Sequence, residues 1–96
     1  MAHLVILPAA QVDLSEIGDF IALDNPSRAA TFVDEIEARL LQIASSPNSF
    51  PARDDLYEGL RSARHGRYLI FFTGSTEKIE VIRILHAARN LQRIFG

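Results

Sequence analysis

The residues that could do chemistry lie in the closing third of the chain. Lys78 to Leu85 alternates, with Ile79, Val81, Arg83 and Leu85 on one side and Glu80, Ile82, Ile84 and His86 on the other. An arginine in an apolar row either reaches solvent at a sheet end or is placed to act on something. Arg67 opens the preceding apolar run, and Arg61 and Arg64 lie just before it. If these runs form an antiparallel meander, the start of the middle strand lies near the end of the last one. Arg67 then comes close to Arg83 and His86. Several like charges in one place cost stability unless an anion or a carboxylate answers them. Such a cluster could bind an anion and, in its most demanding use, cleave an RNA phosphodiester. That reaction needs a general base, a general acid and a cation for the charge that builds on the phosphate oxygens. His86 or His65 would transfer the proton, and Arg67 or Arg83 would supply the cation. Against this stands the common occurrence of inert histidines at strand ends.

Other chemistries find no residues to carry them. Cysteine is absent, which excludes disulfides, thiolate nucleophiles and Cys-based zinc sites. Three scattered histidines do not make a metal site, and no cofactor is expected. The glycine-rich, GxSxG and HExxH signatures are missing. The acidic residues of the first helical stretch (Asp13, Glu16, Asp19) are spaced as a solvated face.

The elements that must position the candidates can be read in order. His3 to Leu7 is a short strand, ended by Pro8. A helix over Ala9–Leu23 carries Leu14, Ile17, Phe20 and Ile21 on one stripe. Asn25 is a good N-cap and Pro26 a good first residue for a second helix, which runs to about Ala44. Its apolar face is Phe32, Val33, Ile36, Leu40 and Ile43. So short a break between helices makes an antiparallel hairpin. Residues 45–58 read as a loop. Leu60–Arg64, Arg67–Thr73 and Lys78–Leu85 are then strands, with turns at His65–Gly66 and Gly74–Glu77. His86 to Gly96 places Leu91, Ile94 and Phe95 at helical spacing. The order β-α-α-β-β-β is that of an α+β fold, a helical hairpin packed on one face of a small antiparallel sheet.

Ninety-six residues make one domain, 1–96, and 48% hydrophobic residues supply one core. No apolar run approaches the ~20 residues of a membrane span, and Leu4–Leu7 is too short for a secretory signal, so the expected location is the cytoplasm. The net charge of −2 is unevenly spread. Residues 1–58 hold ten acidic residues and three arginines, for −7; residues 59–96 hold two glutamates, six arginines and a lysine, for +5. Either the two parts satisfy each other, or the second presents a basic face to an acidic partner. A helical hairpin on a small sheet also leaves apolar surface open, which an acidic amphipathic helix could cover. The hairpin itself is acidic, which argues against a helix-turn-helix and against sequence-specific nucleic-acid binding.

Several segments resemble a known family. Pro8-Ala9-Ala10-Gln11-Val12-Asp13-Leu14-Ser15-Glu16-Ile17 is similar to the opening of ParE-type toxins of bacterial toxin–antitoxin pairs, and so is Asp24-Asn25-Pro26 before an Ala-rich helix. Gly59-Leu60-Arg61-Ser62, Gly66-Arg67-Tyr68-Leu69-Ile70-Phe71-Phe72 and Ile82-Arg83-Ile84-Leu85-His86-Ala87-Ala88-Arg89 resemble the family's closing strands. Leu7 stands where a capping Ser or Thr is common, and Asn90 replaces a usual Asp. The resemblance implies the β-α-α-β-β-β fold, a toxin that poisons DNA gyrase by binding it, and a ParD-like antitoxin that neutralises it. RelE-like toxins share the fold and cut mRNA in the ribosome. Arg67 and Arg83 match the positions of their phosphate-binding arginines, and His86 lies near the place of their acid or base, but no lysine pair precedes Arg67. The resulting expectation is a binding toxin without catalysis. Its partner contacts are Arg61, Arg64, Arg67, Arg83, Arg89, Leu91, Ile94 and Phe95. The alternative is a ribosome-dependent endoribonuclease using Arg67, Arg83 and His86, and a third reading keeps the domain only for antitoxin binding.

Overall fold

The computed structural model describes residues 2–96, in the order β1 (His3–Ile6), α1 (Pro8–Asp24), α2 (Pro26–Ser45), β2 (Arg61–His65), β3 (Tyr68–Gly74), β4 (Lys78–His86) and α3 (Leu91–Phe95). Pro8 occupies the first turn of α1, where its missing N–H leaves no bond unmade. Leu7 offers no side-chain cap, but the Gln11 amide donates to the Ile6 carbonyl at 2.8 Å and ties the first turn to β1. Asn25 makes the corner between the helices. Its backbone N–H closes α1 on the Ile21 carbonyl, and its side chain accepts from Arg28 N at 3.0 Å to open α2. The expected loop at 45–58 contains a short 3₁₀ turn, Pro47–Ser49.

The sheet has four strands in the order β1-β4-β3-β2. β2, β3 and β4 form the expected antiparallel meander, and β1 adds in parallel on the far side of β4. The first turn falls one residue later than expected. His65 pairs with Tyr68, so Gly66 and Arg67 are the two turn residues and Arg67 is not in the strand. Gly66 has φ +57°, the positive value that a tight hairpin asks of its first central residue.

Both faces of the sheet are covered, rather than one. On the helical side, Phe32, Ile36, Leu40 and Ile43 of α2 pack with Ala63, Ile70, Phe72, Ile79, Val81 and Ile84. On the other side, Leu56 and Leu60 pack with Leu69, Phe71 and Leu85, and Tyr57, Leu91, Ile94 and Phe95 close over them. The Phe95 ring meets Phe71 and Tyr57 at centroid distances of 4.8 and 5.7 Å. The expected apolar tail is therefore a lid on a second small core.

Two further expectations fail. The pairing of β3 with β4 steps from Phe71↔Arg83 to Phe72↔Val81, so Ile82 is an extra residue in a β-bulge. Alternation breaks there, and Leu85 joins the second core while Ile79 and Val81 belong to the first. On α1, Phe20 is 68% exposed, and the buried residues are Ala10 and Asp13. Among the described residues no helix is long and apolar enough to cross a membrane.

Candidate functional site

Arg83, the arginine out of pattern, is answered from within the chain. Its Nε and Nη2 donate to the two carboxylate oxygens of Asp13 at 2.7 and 2.9 Å, and the backbone N–H of Ile84 donates to the same carboxylate at 2.9 Å. Asp13 is 8% exposed, so three donors satisfy a buried anion. The Asp13 carboxylate raises the Arg83 guanidinium above its ordinary pKa, and Glu16 adds to the effect. This corrects the reading of Asp13 as part of a solvated face. It also removes Arg83 from the expected cluster of unanswered cations. The signal was present in the sequence: Asp13 lies on the arc Ala10, Asp13, Leu14, Ile17 and Ile21, at steps of three and four.

Beside this bridge a cleft of about 370 Å³ opens between α1 and the ends of β3 and β4. Glu16, Ile17 and Phe20 form one wall, and Tyr68, His86 and Arg89 are among the residues of the other. Tyr68 and His86 are direct cross-strand partners, with rings 5.3 Å apart edge to face. The backbone N–H of Ala88 donates to His86 Nδ1 at 3.0 Å, which leaves Nε2 as the protonated nitrogen of the neutral ring. Arg67 comes to the same end, since its carbonyl accepts from Ala87 N at 2.8 Å. Sequence reasoning found His86, Arg67 and Arg89 here but missed Tyr68, Glu16 and Phe20.

The β2–β3 turn carries a second group. Glu35 of α2 binds Arg28 in two hydrogen bonds and meets His65 Nε2 at 2.7 Å. Arg28, and then His65, hold the Glu35 carboxylate below its ordinary pKa. The His65 ring lies 5.8 Å from Phe32, which in turn meets Tyr68 at 5.3 Å. His65 thus ties the turn to α2.

The remaining candidates scatter. Arg61 is half-buried at the opposite end of β2, where its guanidinium donates to the Phe50 carbonyl at 2.6 Å. Arg64 is exposed and donates to the Gly66 carbonyl at 3.0 Å. Among the described residues, the salt-bridged cations are Arg28, Arg53, His65 and Arg83. Arg64, Arg67 and Arg89 are exposed outside those pairs, at the turn end of the sheet. Leu91, Ile94 and Phe95 are half-buried on the opposite face. No group of three or more His, Asp or Glu side chains among the described residues is placed to hold a metal ion.

Residues 4–91 match the model of a family described as ParE toxin of type II toxin-antitoxin system, parDE. The fold is similar to that of a solved chain described as the chromosomal ParDE TA system from P. aeruginosa. The TM-score is 0.76 at 21% identity, over 90% of this chain and 96% of that one. No curated protein matches significantly. The family match takes in all of β1 but its first residue, the other three strands, both long helices and the cleft between α1 and the β3–β4 end. The chain belongs to the ParE toxin family of type II toxin–antitoxin systems.

Proposed function

We propose that this ParE-family toxin acts by binding DNA gyrase, without a chemical step of its own, and that a cognate ParD-like antitoxin neutralises it in the cytoplasm. The observation that carries the binding reading is the Arg83–Asp13 bridge. A phosphodiesterase needs a cation free to meet the charge that builds on the phosphate. Of the two arginines the sequence offers for that task, Arg67 and Arg83, the second is already held by a buried carboxylate, with both of its contacting nitrogens engaged. The exposed cations Arg64, Arg67 and Arg89 suit contact with an acidic protein surface, where a few anchors carry most of the affinity. Sequence-specific contact with nucleic acid has no place in this reading.

One feature favours the nuclease alternative. His86 and Tyr68 share a cleft with Arg89, and an imidazole, a phenolic hydroxyl and a cation could serve an RNA phosphate. A single experiment separates the two. Purified toxin is assayed for inhibition of gyrase supercoiling and, in parallel, for mRNA cleavage on translating ribosomes. Inhibition of gyrase with intact mRNA is expected. Codon-phased cleavage together with unaffected gyrase would overturn the proposal.

A further inference from the structure

We infer that the Phe20 lip of the cleft is a self-association surface, on which two copies of the chain pair about a two-fold axis with each Phe20 seated in the other's cleft. The inference rests on the geometry of α1 and the cleft; because it engages Arg89, this pairing and the proposed target contact would compete for that residue.

Three of the four large apolar side chains exposed among the described residues belong to α1: Val12 at 55%, Phe20 at 68% and Leu23 at 82%. Their positions follow steps of three and four around Glu16, so they lie on one outward arc. Scattered singly, exposed apolar residues need no explanation. Here they line up beside a cleft whose lining includes the apolar Ile17, Ile84 and Leu85. Phe20 borders the cleft without filling it, because most of its ring remains exposed.

Charge selects the occupant. Glu16 stands on the α1 wall, and Arg89 stands on the wall formed by the end of β4. A two-fold axis running along the cleft lays the acidic wall of one copy over the basic wall of the other. Each Glu16 then meets the partner's Arg89, and each Phe20 enters the partner's cleft. An unrelated partner would have to supply an apolar knob flanked by acid and base in the matching order. A second copy supplies all three by construction.

The test is sedimentation equilibrium of the purified full-length chain over a wide concentration range. Wild type is expected to approach twice the 10.7 kDa monomer mass as concentration rises. Phe20→Asp should weaken the dimer at least ~10-fold, since a central aromatic anchor lost to a charge exceeds the ~1.4 kcal/mol of one decade. Glu16→Lys and Arg89→Glu should each weaken it, and the double reversal should restore it, because every cross-pair is then re-formed with its signs exchanged. Circular dichroism confirms that each variant folds, and Phe20→Ser serves if Phe20→Asp does not. A wild type that stays monomeric throughout would overturn the inference. So would a dimer indifferent to the change at Phe20, or a double reversal no better than the single ones.

Discussion

Replacing Arg83 with Gln should destabilise the domain more than replacing Asp13 with Asn, although each change breaks the same bridge. The asymmetry follows from exposure. The Asp13 side chain is 9% accessible and the Arg83 side chain 28%. In Arg83→Gln the carboxylate stays charged and buried, with the Ile84 N–H as its one remaining charge-stabilising donor. Leaving a buried charge without its partner costs ~3–5 kcal/mol. In Asp13→Asn the amide oxygen can still accept from Ile84 N, and Arg83 can turn to water, so the net loss is about that of one charge-assisted hydrogen bond, ~1.5–3 kcal/mol. A domain of this size has on the order of 5–14 kcal/mol to lose. At ~4–8 °C per kcal/mol, the lower figure for Arg83→Gln moves the melting temperature down by about 12–24 °C. Urea denaturation and thermal melts followed by circular dichroism measure both. The double variant should be more stable than Arg83→Gln alone, because no buried charge is left behind. A melting temperature for Arg83→Gln within about 3 °C of wild type would refute the reasoning, since a solvated surface pair is worth only ~0–1 kcal/mol. So would equal losses from the two single changes.

The proposed binding mechanism predicts that His86→Gln, folded as wild type, inhibits gyrase nearly as well as wild type, whereas loss of a proton-transfer group would slow a nuclease ~10²–10⁴-fold; supercoiling assays on the variant decide. Ile36→Ala, at a fully buried α2 position, should cost ~2–5 kcal/mol, while Leu23→Ala, 82% exposed, should leave the urea midpoint nearly unchanged. Glu35 has its pKa lowered in the fold by Arg28 and His65, so its contribution to stability is present above the unfolded carboxylate value of about 4.3 and is lost as pH falls through the lower folded value. Glu35→Gln should therefore melt below wild type at pH 6, and the gap should close in the acid range; a gap unchanged at pH 2–3 would contradict it. Asn25→Ala should cost ~1 kcal/mol through loss of the α2 cap, read as a shift in urea midpoint at constant slope.

The helical hairpin was legible because its signals are local. Asn25 and Pro26 mark a helix start in any context, and Phe32, Ile36, Leu40 and Ile43 keep the helical period. The strand runs were equally plain in their apolar residues. What escaped depends on contacts between distant segments. Nothing near Ile82 announces a bulge, since the extra residue exists only relative to β3. Once the register slips there, the faces assigned by simple alternation are wrong beyond it, and Arg83 was placed among cations rather than against α1. At Asp13 residue type and position disagree: the charge suggests a solvated face shared with Glu16 and Asp19, while the position is on the buried arc of the helix. Phe20 is the reverse case, an apolar side chain at an exposed position. The parallel seat of β1 beside β4 could not be read from a strand of four residues, and Leu91, Ile94 and Phe95 could be seen as a stripe without showing which surface they cover.

That parallel seat has a consequence for how the molecule is made. β1 pairs with residues 78–81, and Asp13 meets its guanidinium across 70 positions of chain. A polypeptide emerging from its N-terminus therefore extrudes β1, an acidic α1 and its apolar arc long before their partners exist. Closing such long loops comes late and is slow relative to forming the hairpin alone. The helical hairpin can form early, but it must wait with an unanswered carboxylate at Asp13 and an uncovered face until β4 has been synthesised. A chain ending before residue 83 would thus lack both the seat of β1 and the partner of Asp13, and could not close the fold.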